Sequence, residues 1–204
     1  MKKVIILILL MLLAPIGAAM ATPVYWSANG HYYERIDGDV TWDEANSNAS
    51  SQVYMGLQGH LVTITSAAEN LFLTNNADIG GGEDLNLIHL YWTGGFQPAG
   101  SVEPDGGWSW VTGEAFTYNN WASGEPNDYA GEMYLGFDHG FTADGKMWND
   151  LPALSDVDDP TSLYMGNGFI VEYDGSTPVP EPGTVLLLGL GLLSFIPLKK
   201  KLIK

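Results

Sequence analysis

Two helical patterns, a series of short strand patterns and one long turn-rich segment crowded with aromatic side chains predict an α+β fold for this chain. The first helix follows Thr41, whose hydroxyl can cap it, and places Trp42, Ala45 and Ala49 at helical spacing. The second opens on Ser66 with Glu69, a Ser-x-x-Glu capping box, passes through Leu71, Phe72 and Leu73 and stops at Asn75-Asn76. Strands are expected at 31–36, where the pattern alternates, at 59–64, at 90–93 as a buried run, and then at 132–137, 146–149 and 169–173 with glycine-containing turns between them. Residues 80–84 read as a loop and not as a phosphate cradle, because no Gly-Lys-Ser/Thr follows. From Gln97 to Asp128 the chain is rich in Gly, Pro, Asn and Asp. Such a long loop normally counts against an assignment, but Trp108, Trp110 and Trp121 within it predict that it packs on itself and carries function.

The two ends set the cellular context. Met1-Lys2-Lys3, the apolar run 4–13 and the small-x-small triplet Ala19-Met20-Ala21 read as a signal peptide over residues 1–21, with an uncleaved N-terminal anchor as the competing reading. At the other end Val179-Pro180-Glu181-Pro182-Gly183 leads into the apolar run 185–198, followed by Lys199, Lys200 and Lys201. A helix over that run would be roughly 21 Å long, short against a hydrocarbon core of about 30 Å. The lysines place the tail on the cytoplasmic side and everything before it outside.

Residues 22–178 remain, enough for one domain with a sizeable core. Arg35 and Lys146 are the only basic residues of this part against twenty-three acids, a formal charge of about −21. Nucleic acid is excluded as a partner, because neutralising phosphates needs cationic side chains. The chain has no cysteine, so stability must come from the core and from any bound metal, and thiol chemistry is ruled out.

Between positions 125 and 150, Glu125, Asn127, Glu132, Asn149 and Asp150 offer hard oxygen ligands that mix carboxylates with carboxamides. That mixture suits Ca²⁺, which takes six to eight oxygens and can leave positions open to the hydroxyls of a sugar. Two vicinal hydroxyls can complete such a shell while each carboxylate accepts, and each carboxamide donates, one hydrogen bond to them. The plain alternative is that Asn, Asp and Glu here only make turns and caps.

Trp42-x-x-Ala45, Gly59-His60-Leu61-Val62-Thr63-Ile64-x-Ser66-x-x-Glu69-Asn70, Tyr91-Trp92-Thr93-Gly94, Trp108-x-Trp110-x-x-Gly113, Tyr118-x-x-Trp121-x-x-Gly124-Glu125-Pro126-Asn127, Trp148-Asn149-Asp150 and Phe169-Ile170-Val171-Glu172 follow one another in the order of the C-type lectin-like domain. Residues 29–174 resemble that family, and residues 179–204 resemble the PEP-CTERM sorting tag read by an exosortase. The resemblance implies two helices, short antiparallel sheets and a long calcium-binding loop. It implies Ca²⁺ bound by Glu125, Asn127, Glu132, Asn149 and Asp150, with the first four also touching carbohydrate, and a cis-proline at Pro126. Glu before the proline and Asn after it resembles the version associated with mannose, glucose or fucose. A shallow site of this kind is expected to bind one monosaccharide only at about millimolar strength, so adhesion needs many copies.

Three departures from the family stand out. Its paired cysteines would fall at Ala49 with Val171 and at Tyr134 with Ala153, none of which can cross-link. An auxiliary calcium site would use Asp128 and position 133, but Met133 occupies the latter, so that site is not expected. Residues 151–168 are longer than usual and carry Asp156, Asp158 and Asp159, which read as a solvated acidic turn, as a second metal site or as a wall that narrows the choice of sugar.

No Gly-x-Ser-x-Gly or His-Glu-x-x-His motif is present, and His31, His60, His89 and His139 are scattered, so they read as ordinary surface or core residues. Carboxylate pairs such as Glu125 with Glu132 could serve glycoside hydrolysis, but metal ligation explains them better. The expectation is an exported, non-enzymatic domain, transiently held in the membrane through its tail, that binds exopolysaccharide or surface glycan through Ca²⁺. The alternative is an adhesion or matrix protein that recognises protein, with calcium purely structural.

Overall fold

A computed structural model describes residues 22–79, 90–138, 147–153 and 163–175. The expected signal and sorting segments, the glycine loop at 80–84, His89, His139 and the cluster of Asp156, Asp158 and Asp159 lie outside the described residues. The elements in chain order are β1 (Val24–Trp26), β2 (His31–Val40), α1 (Trp42–Ser51), β3 (Val53–Tyr54), β4 (Leu57–Leu61), α2 (Ala67–Asn75), β5 (Leu90–Phe96), β6 (Ser109–Trp110), β7 (Glu132–Asp138), β8 (Trp148–Pro152) and β9 (Gly166–Tyr173). Two helices, short strands and one long loop give the expected α+β arrangement.

Both helices start where their caps predict. Thr41 Oγ1 accepts from the Glu44 amide at 3.2 Å and Glu44 Oε2 accepts from the Thr41 amide at 3.0 Å, a closed capping box. The helix buries Trp42, Ala45 and Ala49, as the spacing requires. Ser66 Oγ likewise accepts from the Glu69 amide at 3.2 Å, but the expected reciprocal contact differs. Glu69 reaches past Ser66 to the Thr65 amide at 2.8 Å, because its other oxygen is held in the core by the Tyr33 hydroxyl at 2.6 Å. In α2 the buried face is Glu69, Asn70 and Leu73, while Leu71 is exposed.

The sheet runs β1-β2-β9-β5-β7-β8, with β4 also on β9 and β6 on β5. It is mixed, not purely antiparallel, because β5 and β9 run parallel where Tyr91 faces Gly168 and Trp92 faces Phe169. Strand edges shift from the sequence expectation. β4 ends at Leu61, although the Val62 amide still donates to Ile170 O at 2.9 Å. β8 starts at Trp148 and continues to Pro152, so Asn149 and Asp150 lie inside a strand and not at its end. The two-residue strands β3 and β6 and the three-residue β1 carry too little pattern to be read in advance.

Two packed groups fill the interior. One gathers Tyr33, Ile64, Leu73, Trp110, Leu135 and Trp148, and the other Trp42, Ala49, Trp92, Leu151, Val171 and Tyr173. Trp42 ties α1 to the sheet by stacking on Tyr134 at 4.5 Å and donating its indole N–H to Thr93 O at 2.9 Å. Glycine is needed where the strands approach closely: a Cβ at Gly95 would stand 2.7 Å from the Cβ of Leu135.

A polar cluster crosses this core. The Tyr33 oxygen accepts from Asn29 Nδ2 at 2.6 Å and lies 2.6 Å from Glu69 Oε1 and 3.0 Å from Glu172 Oε1. One hydroxyl proton serves one carboxylate, so both contacts are attractive together only when a carboxyl is protonated. Burial and the neighbouring Glu172 charge hold the Glu69 carboxyl above its ordinary value of 4.5. The folded state therefore binds this proton more tightly than the unfolded chain, and the linked contribution to stability is lost as pH rises from 4.5 through the folded value. Glu69→Gln removes that linkage. In urea denaturation between about pH 4.5 and neutral, the stability of the wild type relative to Glu69→Gln should fall with rising pH. A difference that stays flat would contradict the shared-proton arrangement.

Candidate functional site

The five oxygen-bearing side chains singled out in the sequence come from two segments that the fold brings together. Glu125 and Asn127 sit on the turn-rich loop and Glu132 opens β7, while Asn149 and Asp150 lie on β8, which pairs antiparallel with β7. The register sets Leu135 opposite Asp150 and Gly136 opposite Asn149, with an irregularity between Glu132, opposite Pro152, and Tyr134, opposite Leu151.

Trp148 fixes where β8 stands. It is fully buried, and its indole N–H donates to Asn70 Oδ1 on α2 at 2.8 Å. Trp110, Phe116, Tyr118 and Trp121 meet its ring edge-on, with centroids between 5.5 and 6.1 Å away. Its backbone holds the loop as well. The Trp148 amide donates to Asn120 O at 2.9 Å and its carbonyl accepts from the Ala122 amide at 2.9 Å. The aromatic loop is thus zipped to the residue that precedes Asn149 and Asp150.

Asp150, with no exposed surface, then orders the loop's tip. Its carboxylate accepts from the Asn127 amide at 3.0 and 3.1 Å and from the Asp128 amide at 2.9 Å. The Glu125–Pro126 peptide is cis. The Asn127 carboxamide donates to Glu125 Oε2, and its oxygen accepts from the Tyr129 amide at 2.8 Å. The same amide donates to Glu132 Oε2 at 3.0 Å. This role for the Tyr129 backbone was missed in the sequence. The signal available was the Asn two positions earlier, since Asn oxygens commonly accept from the amide two residues on. Asp128 takes a left-handed φ of 53°, which Asp tolerates better than most residues.

The result is a concentration of like charge. One carboxylate oxygen from each of Glu125, Glu132 and Asp150 lies within 4.8 Å of the others. Burial, followed by the Asp150 charge and then by Glu125 and Asp128, pushes the Glu132 carboxyl up to about 8 even though the Tyr129 amide opposes the shift. Asn149, the residue before Asp150 on β8, is buried. A donor set made only of oxygens, several of them anionic and mutually repelling, fits a hard divalent cation better than a soft, thiolate- or imidazole-seeking metal.

The other expected features are placed as follows. Ala49 and Val171 are both fully buried in the same packed group, so close packing fills the first position where the family has paired cysteines. Tyr134 lies on β7 opposite Leu151 and stacks on Trp42. Of the histidines read as ordinary surface or core residues, His31 on β2 and His60 on β4 both form ion pairs with Asp174, just past β9. Distance along the chain concealed this, because only the strand pairing brings them together.

Comparison with known proteins decides the family. The chain is 32% identical over 137 residues to an alpha-N-acetylgalactosamine-specific lectin of Patiria pectinifera, covering 63% of this chain and 71% of that one. It belongs to the C-type lectin-like family. It is also 31% identical over 165 residues to halomucin of Haloquadratum walsbyi, a match covering 73% of this chain but only 2% of that protein's length. Among solved structures, the C-type lectin CEL-I from Cucumaria echinata is similar in fold, with a TM-score of 0.55 at 24% identity over 75% of this chain and 97% of that one. Residues 178–196 match the PEP-CTERM protein-sorting motif. Among the described residues no helix is long and apolar enough to cross a membrane.

Trp148→Phe keeps a ring in this C-type lectin-like core but deletes the donor to Asn70 and part of the edge contacts. Chemical denaturation should show a loss of about 1–3 kcal/mol with an unchanged denaturant slope. A loss below about 0.5 kcal/mol, ordinary for a surface change, would contradict the central place given to this residue.

Proposed function

We propose that this chain is an exported lectin whose domain, residues 22–178, binds carbohydrate through Ca²⁺ held by Glu125, Asn127, Glu132, Asn149 and Asp150. The observation that carries this reading is the gathering of the Glu125, Glu132 and Asp150 oxygens within 4.8 Å from two separate segments of the chain. The family is one of binding proteins, not enzymes, and a relative sharing 32% identity is named as a lectin. Calcium would supply the positive charge that these carboxylates lack and open coordination positions for vicinal sugar hydroxyls.

The protein's own groups supply the rest. Asp150 and the Trp148 cluster hold the loop tip, so Glu125 and Asn127 are presented side by side with little reorganisation. Carboxylates accept from, and carboxamides donate to, the hydroxyls of one sugar ring. The Tyr129 ring is 77% exposed beside this tip, and we assign it the role of an apolar platform for the ring's C–H face. The order Glu125-Pro126-Asn127 favours mannose, glucose or fucose, while the name of the Patiria relative makes N-acetylgalactosamine the competitor to include.

The match to a sorting motif at 178–196 supports export and processing by an exosortase-type enzyme. In this reading residues 1–21 are a signal peptide, residues 179–204 insert transiently into the membrane, and the domain ends at the cell surface or beyond it. There, many copies facing exopolysaccharide or cell-surface glycan would offset weak single-site affinity.

A glycan array run with and without EDTA, with mannose, fucose and N-acetylgalactosamine as soluble competitors, tests this directly. Retention should vanish on chelation, return with added calcium and yield to mannose-type sugars. Asp150→Asn should weaken calcium binding about tenfold or more. Tyr129→Ala should lower glycan retention and leave calcium uptake unchanged. Retention that survives chelation, or calcium uptake with no glycan retained, would instead favour a matrix protein that recognises protein.

A further inference from the structure

Far along the sheet order from the calcium-type site, β2, β9 and β4 bring a second set of ligand atoms onto one face. The β2–β9 register opens with Tyr32 opposite Tyr173, which sets the neighbouring His31 and Asp174 at the same end of the two strands, and His60 on β4 stands opposite Glu172. His31 Nδ1 lies 2.7 Å from Glu172 Oε1 and 3.5 Å from Asp174 Oδ1, while His60 Nε2 lies 3.1 Å from the same Asp174 oxygen. Ligand atoms of His31, Glu172 and Asp174 all fall within 4.8 Å of one another. For a metal bound at about 2.0–2.1 Å in a tetrahedron, neighbouring ligand atoms stand about 3.4 Å apart. The His31–Asp174 and His60–Asp174 separations are already near that value and His31–Glu172, a hydrogen-bond length, has to open by less than about 1 Å, while His60 stands outside the gathered set, touches it through Asp174 alone and has to turn inward to complete the shell.

Two of these ligands are also oriented from behind. His60 Nδ1 lies 2.9 Å from Leu61 O, so its N–H donates to that carbonyl and Nε2 is left facing Asp174. A neutral ring would then point a lone pair at a carboxylate oxygen, a repulsive contact that either a second proton or a cation relieves. Glu172 is almost fully buried and is braced through Oε2 by the Thr63 amide at 2.9 Å and through Oε1 by the Tyr33 hydroxyl at 3.0 Å. A histidine whose other nitrogen is bonded to a carbonyl, and a ligating carboxylate that is itself hydrogen-bonded, are the supports that metal ligands characteristically have. Asp174 is 63% exposed, which leaves an entry path from solvent.

We propose that His31, His60, Glu172 and Asp174 form a binding site for a divalent transition ion of the Zn²⁺ class, separate from the oxygen-only site on β7 and β8. Two imidazoles with two carboxylates select such an ion over Ca²⁺, which prefers oxygen alone. Bound there, the ion ties β2 to the end of β9 through His31, Glu172 and Asp174, and to β4 through the His60–Asp174 contact, four residues before the matched sorting motif begins at residue 178. In a chain without cysteine it does work that a disulfide would otherwise do.

The test is Zn²⁺ uptake by the purified full chain, carrying no histidine tag, in buffer saturated with Ca²⁺ and read by competition with a chromogenic chelator. The wild type should bind a single Zn²⁺ and melt at a higher temperature when it is added. Asp174→Asn and His60→Gln should each weaken uptake about tenfold or more, the double change His31→Gln with His60→Gln should abolish it, and Glu132→Gln should leave it intact. Circular dichroism checks that each variant folds. Should a histidine change unfold the chain, Asp174→Asn at its exposed position decides the matter. No uptake by the wild type would reduce the cluster to ordinary ion pairs, and uptake unchanged in Asp174→Asn would place the ion elsewhere; either result overturns the proposal without touching the calcium-dependent reading.

Discussion

The burial of Trp148 is the constraint on which the rest of this molecule depends. Its ring is surrounded by aromatic side chains from the long loop, its indole is anchored to Asn70 on α2, and both of its backbone groups bond to that loop. A segment from Gln97 to Glu132 with little regular structure would be entropically costly to hold in one conformation. Aromatic area buried around one ring offsets that cost, because large flat side chains bury much surface while losing few rotatable bonds. The next two residues along the chain are Asn149 and Asp150, so packing and site chemistry meet at neighbouring positions.

Asp150 passes that order outward. A fully buried carboxylate needs hydrogen bonds or a cation, and here it takes backbone amides from Asn127 and Asp128. Those bonds fix the loop tip that carries Glu125 and Asn127. They do not neutralise the charge, and the raised affinity of Glu132 for its proton is the residue of that imbalance. A fold with no disulfide thus places a cluster of like charges on a segment with little regular structure. Such a design makes the loop sensitive to whichever cation settles there.

Much of this was legible in the sequence. Thr41 and Ser66 announced both helix starts because capping is a local rule written in adjacent residues. Trp148-Asn149-Asp150 and Glu125-Pro126-Asn127 announced the oxygen cluster because each ligand type sits in a short motif. What stayed hidden depends on partners distant in the chain. Glu69 was read as a capping residue, and only the packing of α2 against Tyr33 and Glu172 turns it into part of a buried acid network. His31 and His60 looked unrelated until β9 joined their strands. The parallel pairing of β5 with β9 is likewise a property of topology, which no local pattern encodes.

Asp150, positioned by Trp148, holds the Glu125-Pro126-Asn127 tip in place. Site-resolved hydrogen exchange of the wild type and Asp150→Ala measures this most directly. The amides of Asn127 and Asp128 should exchange slowly in the wild type and at near-solvent rates in the variant, with β5 and β9 protected equally in both. Equal protection of those two amides in both proteins would contradict it.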